Sequence, residues 1–268
     1  MHDVLMALQT DLASSIAIRF MCQIKKFGQF NIQTAHVPDL EKAGHPPGSG
    51  WVQKIWEDEI VGKARKDIAK LIQEENSAQY NLPAPLVLLG ERDQVILSEL
   101  QHKSYDIFIE GLLHSFEPDL FFARIDSDLY RNPPCPILMV KNLVKLDRGI
   151  QLVGTPDRIS LLLPWFDKFW KDQPLQADVL ICQFENQEEN ITILENDDHL
   201  VSELENGGLR HRTEPCTIKT AKGPSKKLVS LVRDHALIMS LVPESKGNMA
   251  RMLAMSPCPI LFCPEGTQ

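Results

Sequence analysis

Residues 105–142 have the sequence YDIFIEGLLHSFEPDLFFARIDSDLYRNPPCPILMVKN, and a shorter copy, HALIMSLVPESKGNMARMLAMSPCPILFC, returns at residues 235–263. Each copy predicts a buried strand, a loop, a helix with apolar residues three and four apart, and a second apolar strand after Pro-Cys-Pro. Strands that are apolar on both faces belong in a parallel sheet covered by helices. The repeat therefore predicts two related, doubly wound α/β domains, residues 1–142 and 149–268.

The residues before each copy continue this alternation of strands and helices. In the first half, the predicted strands are Val4–Leu8, Phe30–His36 and Pro85–Leu89, and the predicted helices begin near Asp11, Trp51 and Val95. Thr10 or Asp11 is suited to cap the first helix, and the helix from Trp51 to Ile72 carries a continuous apolar stripe.

The second copy is less regular and shorter. Thr155–Asp157 predicts the start of a helix that carries Trp165, Phe166, Phe169 and Trp170, a group too apolar for one helix face and therefore expected in the core and at a domain contact. Matching points lie 146 residues apart at Asp11 and Asp157, but only 123 apart at Cys135 and Cys258. We expect a reduced second domain.

Composition excludes several classes of protein. The 268 residues are 43% hydrophobic, which suits two globular domains, and no apolar run approaches the roughly 20 residues of a membrane span. The net charge of −8, without a basic aromatic cluster, argues against nucleic acid as a partner. No signal-peptide pattern follows Met1, and the six cysteines contain no CxxC pair, so we expect a soluble cytoplasmic protein without a metal site.

The pattern resembles the universal stress protein family, in its tandem two-domain type. The resemblance rests on the strand and glycine at Asp106–Gly111 and on the Pro-Cys-Pro-Ile-Leu strands that begin at Pro134 and Pro257. It implies two five-stranded parallel sheets of order 3-2-1-4-5, flanked by helices, whose last strands pair antiparallel. Such pairing joins the two domains within the chain or joins two chains in a homodimer.

The resemblance also implies where a nucleotide site would lie. ATP-binding members carry an Asp after the first strand and Gly-x2-Gly-x9-Gly-(Ser/Thr) after the fourth. In the first half the Asp falls on Gln9, only Gly111 of the glycines is kept, the second falls on His114, and Ala123-Arg124 replaces the last pair. In the second half the Asp falls near Thr155, and Ser240 and Pro243 replace the first two glycines. A β-carbon obstructs the approach that glycine permits, so we expect a degenerate site without a cofactor.

Two interpretations of function remain open. The first is a non-catalytic regulatory or interaction module of the stress response, with the other domain, a second copy or another protein as partner. The alternative is a binding protein for a small ligand or an adenine nucleotide, whose candidate residues all lie in the first half: Gln9, Thr10, Asp11, Gly90, Gly111, His114 and Ser115. An enzyme is not expected, since neither a Gly-x-Ser-x-Gly elbow nor a Ser-Gly-Gly-x-Asp-Ser loop is present.

Two weaker features have competing interpretations. Ser245–Asn248 could hold an anion at a helix start, but a plain turn is favoured because the loop is too short to enclose a nucleotide. Cys135 and Cys258 hold equivalent places and could be redox partners, but buried inert thiols are favoured, because no neighbour in the sequence would lower their pKa.

Overall fold

Apolar strands separated by helices fold here as the periodicity predicts. The computed structural model describes residues 1–24, 28–40, 48–75, 82–113, 117–144, 149–170, 177–185, 190–209 and 216–266. The first half contains β1 (His2–Ala7), α1 (Leu12–Ile24), β2 (Phe30–His36), α2 (Trp51–Glu75), β3 (Leu86–Val87), α3 (Arg92–His102), β4 (Ile107–Gly111), α4 (Pro118–Ile125), α5 (Asp128–Arg131) and β5 (Ile137–Val140).

The second half repeats the alternation with shorter helices. It contains β6 (Ile150–Gly154), α6 (Leu163–Trp170), β7 (Ala177–Phe184), β8 (Thr192–Leu194), α7 (Asp198–Leu204), β9 (Ile218–Gly223), α8 (Ser225–Leu228), β10 (Leu237–Leu241), α9 (Asn248–Met255) and β11 (Ile260–Cys263). The predicted helix start at Thr155–Asp157 is wrong. Arg158 and Ile159 donate their N–H groups to the Thr155 carbonyl in a turn, a 3-10 turn follows, and α6 begins only at Leu163.

The described strands form one sheet of order β3-β2-β1-β4-β5-β11-β10-β6-β7-β9-β8. The predicted antiparallel pairing of the last strands joins the two strand sets into one sheet, so the predicted count of two five-stranded sheets is wrong. The first five strands do follow the order 3-2-1-4-5 and are parallel, but β5 pairs antiparallel with β11 and merges the two sets, placing Leu138 opposite Leu261. An additional strand, β8, pairs antiparallel with β9 at the outer edge.

The strands next to this junction are buried on both faces. Leu138 and Leu261 point into one apolar layer, and Ile137 and Phe262 into the other, each at most 2% exposed. Each layer draws residues from both halves. The two halves therefore share their cores as well as their sheet.

Polar contacts hold the same junction. Lys141, which directly follows β5 and is fully buried, donates from Nζ to the carbonyls of Leu253 (2.8 Å) and Ala254 (2.7 Å) at the end of α9. Burial lowers the pKa of Lys141 to about 7. At the other end of the strands, Lys168 of α6 pairs with Asp106 at 2.9 Å.

Helix α2 departs from the predicted continuous apolar contact. Only Ala64, Ile68 and Ile72 in its C-terminal half are buried, whereas Trp51 is 75% and Ile55 is 54% exposed. In the described residues, no helix is long and apolar enough to cross a membrane.

Candidate functional site

A cavity of about 700 Å³ opens at the carboxyl ends of β1, β2 and β3. Its wall is made of residues that follow these strands: Gln9, Thr10, Asp11, Val37, Pro38, Asp39, Leu40, Gly90, Glu91 and Arg92. The structure thus brings four of the candidate residues, Gln9, Thr10, Asp11 and Gly90, to one cavity. Their role toward a ligand stays a prediction.

Two of these residues also shape the chain around the cavity. Asp11 caps α1, as predicted, since the Ser14 N–H donates to Asp11 Oδ1 at 2.8 Å. Gln9 donates its backbone N–H to Ser14 Oγ (2.7 Å) and its side-chain amide to the Val37 carbonyl (3.2 Å). The polar edge of the cavity is therefore held by bonds between β1, α1 and the end of β2.

Gly111 does not line this cavity. It ends β4 directly under α1, where an added β-carbon would lie 2.1 Å from the Ala13 carbonyl oxygen. The close packing of strand and helix explains this glycine without a ligand. His114 and Ser115, the other two candidates, lie outside the described residues.

A buried ionic network fills the space beside the cavity, above β4. Glu110, 2% exposed, accepts from Arg124 Nε at 2.7 Å and Nη2 at 2.8 Å, from Arg92 Nη2 at 2.7 Å and from the Tyr130 hydroxyl at 2.6 Å. The Nη1 atom of Arg124 donates to both carboxylate oxygens of Asp93, at 2.9 and 2.6 Å. Four elements, β4, α3, α4 and α5, are joined at this point.

The charges in the network stabilise one another. Burial would raise the pKa of Glu110, but Arg124 and Arg92 outweigh it and lower that pKa to about 2. Burial, and then the adjacent Glu110 carboxylate, raise the pKa of Tyr130 well above its usual value. Glu110 is therefore ionised and Tyr130 neutral across the physiological range, and Arg124 is committed to carboxylates on both sides.

This network was missed in the sequence. In the sequence, Arg124 stands only as the replacement for a phosphate-binding Ser or Thr, and Glu110 lies within the strand and glycine at Asp106–Gly111. A carboxylate in a strand buried on both faces requires a cationic partner, and that requirement was the available signal.

The second half has its own crevice, of about 280 Å³, at the ends of β6, β7 and β10. Thr155, Ser240, Pro243, Gly247 and Asn248 line it.

The strand register corrects one assignment. Gly111 pairs with Val140 in β5, and Leu241 pairs with Cys263 in β11, so Leu241, rather than Ser240, is equivalent to Gly111.

The two weaker features have clear outcomes. Ser245–Asn248 forms the favoured turn, with Lys246 at φ 61° and Gly247 as the N-cap of α9. Cys135 and Cys258 are both buried free thiols. Burial raises the pKa of Cys135 to about 12 and also raises that of Cys258, so neither is an activated thiolate.

Comparisons with known proteins give one clear result. No protein-family model and no curated protein sequence match the chain. Among solved structures, a universal stress protein from Archaeoglobus fulgidus DSM 4304 is similar over 99% of this chain and 97% of its own, with a TM-score of 0.67 and 14% identity. The fold is that of the universal stress proteins.

Two further structures with this similarity come from Pseudomonas aeruginosa. A putative universal stress protein from strain UCBPP-PA14 covers 98% of this chain, with a TM-score of 0.53 and 14% identity, over 93% of its own length. A functionally unknown protein from strain PAO1 covers 99% of this chain and 93% of its own, with a TM-score of 0.54 and 15% identity. These TM-scores establish the universal stress protein fold. At identities of 14–15% the role of each residue rests on this chain's own geometry.

Proposed function

We propose that this chain is a non-catalytic regulatory or interaction module of the stress response, a tandem universal stress protein whose first-half crevice does not take ATP. The observation that carries the proposal is the network of Glu110 and Arg124. A bidentate guanidinium–carboxylate pair occupies the place where the resemblance puts phosphate contacts, and Arg124 has no charge left to offer a phosphate.

The wall of the first cavity supports the same conclusion. It carries three carboxylates, Asp11, Asp39 and Glu91, against one guanidinium, Arg92, which already donates to Asp93 and Glu110. Such a wall repels a polyphosphate.

The proposal that the module works through protein contacts rests on α2. Its first two turns leave Trp51 and Ile55 exposed one turn apart, and exposed tryptophan is typical of binding surfaces. The partner is another protein or a second copy of this chain. We expect the cytoplasm as its location.

Calorimetric titration of the full chain with Mg-ATP tests the proposal. We expect no binding at millimolar nucleotide, which corresponds to less than about 4 kcal/mol of binding free energy. A micromolar dissociation constant would contradict it. A parallel titration with adenosine tests the effect of the acidic wall. If the chain binds adenosine but not ATP, the wall rejects the phosphates.

A small-ligand protein is the second candidate, and the first cavity favours it. Its volume of about 700 Å³ lies within the roughly 300–1,000 Å³ of ligand pockets. The carboxylates in its wall favour a neutral or cationic molecule. Native mass spectrometry of the purified chain tests this candidate, since a co-purified mass would support it.

A further inference from the structure

The second half keeps an open crevice at the point where its strand connections diverge. In the sheet β6 lies between β10 and β7, and the loops leaving β6 and β10 separate at their carboxyl ends. The cavity of about 280 Å³ lies there, between Gly154 and Thr155 on one side and Ser240 and Leu241 on the other. Crevices at such points are the usual ligand sites of open α/β sheets.

The volume and the apolar wall of this crevice limit which ligands can bind. Leu162, Phe184, Leu241 and Met249 supply apolar surface, and no ionic network like that of Glu110 crosses the described part of the wall. The cavity is smaller than the roughly 300–1,000 Å³ typical of pockets for drug-sized ligands. A molecule with one small apolar group fits this volume.

An arginine stands at the rim of the crevice. Arg158 lines it with 31% of its side chain exposed, and its Nη2 donates to Glu265 Oε1. Glu265 is 66% exposed, and ion pairs between such exposed groups add little stability. Another carboxylate can therefore replace Glu265 on Arg158 at little cost.

Helix α9 adds a second positive element. It begins at Asn248 in the same wall, and its N-cap is Gly247, so the first N–H groups have no capping side chain. The wall also contains one described carboxylate, Glu244, which is exposed to solvent. Apolar surface inside and positive charge at the rim describe a site for an amphipathic anion.

We propose that the second-half crevice binds a small carboxylate with an apolar body, and that Glu265 occupies Arg158 when the site is empty. The ligand's carboxylate displaces Glu265 from the guanidinium, and its apolar group enters between Leu162, Phe184 and Met249. The chain thus carries an internal competitor for its own ligand. This site is independent of the first-half crevice and of its response to ATP.

The test uses phenylacetate as the probe and the full chain. Titrations by calorimetry compare the wild type with Glu265→Gln and Arg158→Gln, and phenylacetamide serves as the neutral isostere. Removal of the competitor in Glu265→Gln should tighten phenylacetate binding roughly twofold to fivefold. Arg158→Gln should weaken it at least about tenfold, as expected for loss of a charge-assisted hydrogen bond.

Matched controls keep the interpretation specific. Arg19→Gln removes another exposed arginine, which pairs with Glu75 in the first half, and should leave phenylacetate affinity unchanged. Phenylacetamide should not respond to Glu265→Gln. The Met249 methyl signal in a ¹³C NMR spectrum should shift on binding, because this side chain lines the crevice.

Three results would overturn the proposal. The first is no saturable phenylacetate binding in either the wild type or Glu265→Gln. The second is equal affinity in the wild type, Arg158→Gln and Glu265→Gln. The third is a shift of the Met21 methyl, in the core of the first half, without a shift of Met249. The ATP titration is read separately, so this proposal and the proposed function can fail independently.

Discussion

The crevice at the carboxyl ends of the strands is built twice in this chain, and the two copies differ in chemistry. At the end of β4 stands Glu110, bound by Arg124. At the equivalent point of β10 stands Ser240, whose hydroxyl donates to the Leu241 carbonyl at 3.1 Å. One half has therefore placed a buried ion pair where the other keeps an apolar opening, on the same strand order.

The difference shows how a shared topology can host opposite electrostatics. Ligand sites in such sheets depend on what the loops and strand ends supply, and the sheet itself only fixes the place. In the first half the charged side chains around Glu110 pair with one another and join four structural elements. In the second half the small Ser240 replaces Glu110, and Arg158 lies at the rim of the crevice.

The largest expected effect comes from breaking the network. Arg124→Leu leaves Glu110 buried and uncompensated, and should lower the free energy of unfolding by about 3–5 kcal/mol. The double variant Glu110→Gln/Arg124→Leu should recover much of that loss, because no buried charge remains. Urea-induced unfolding measures both.

The control for Arg124→Leu is a substitution at the matching crevice of the second half. Ser240→Ala removes one hydroxyl bond and should cost only about 1 kcal/mol. An equal cost for Ser240→Ala and Arg124→Leu would show that the two crevices do not differ as described.

A second prediction concerns pH at the junction of the halves. Burial lowers the pKa of Lys141 to about 7, whereas the unfolded chain keeps the usual value of about 10.4. Between these values the unfolded chain binds the extra proton, so this residue makes stability rise with pH from about 7 to about 10, by up to roughly 4 kcal/mol. The equivalent residue after β11 is Pro264, which cannot titrate.

Lys141→Met tests this contribution. The variant should lose the rise in stability between about pH 7 and 10, measured by urea unfolding at several pH values. It should also be less stable at pH 10, since the carbonyls of Leu253 and Ala254 lose their donor. An unchanged pH dependence in Lys141→Met would contradict the account of the junction.

The smallest of the three expected stability effects concerns Gly111 and tests whether helix packing explains this glycine. Gly111→Ala forces a β-carbon against the Ala13 carbonyl and should destabilise the chain by about 1–3 kcal/mol. Gly62→Ala, in α2 where a β-carbon meets nothing within 4 Å, should stabilise it by up to about 1 kcal/mol. Thermal unfolding of both variants gives the comparison, and a harmless Gly111→Ala would restore a ligand explanation for that glycine.

Much of the fold could be predicted, because its signals are local. The strands at residues 107–111 and 237–241 are short, continuous apolar runs, and the Asp11 cap follows from residue type and position. The merging of the sheets at β5 and β11 followed from the apolar last strands, which a folded chain has to cover. The late start of α6 and the exposure of Trp51 were not visible, because periodicity reports a helix face and not what covers it.

The site was less predictable than the fold. Gln9, Thr10, Asp11 and Gly90 could be grouped because each follows a parallel strand. The pairing of Glu110 with Arg124 spans 14 residues and depends on the angle at which α4 returns over the sheet, which no local pattern reports. The distance from Gly111 to Ala13 likewise depends on how tightly α1 packs.

The ionisation of Glu110 tests most directly that Arg124 is held by carboxylates and is not available to a phosphate in the first crevice. In an NMR pH titration of the side-chain carboxyl carbon, an ordinary Glu is half protonated near pH 4.3. The network should keep Glu110 fully ionised at about pH 3.5, because Arg124 and Arg92 hold its pKa at about 2. Titration of Glu110 near pH 4.3 would mean that Arg124 is not bound to it, and would contradict this account of the first crevice.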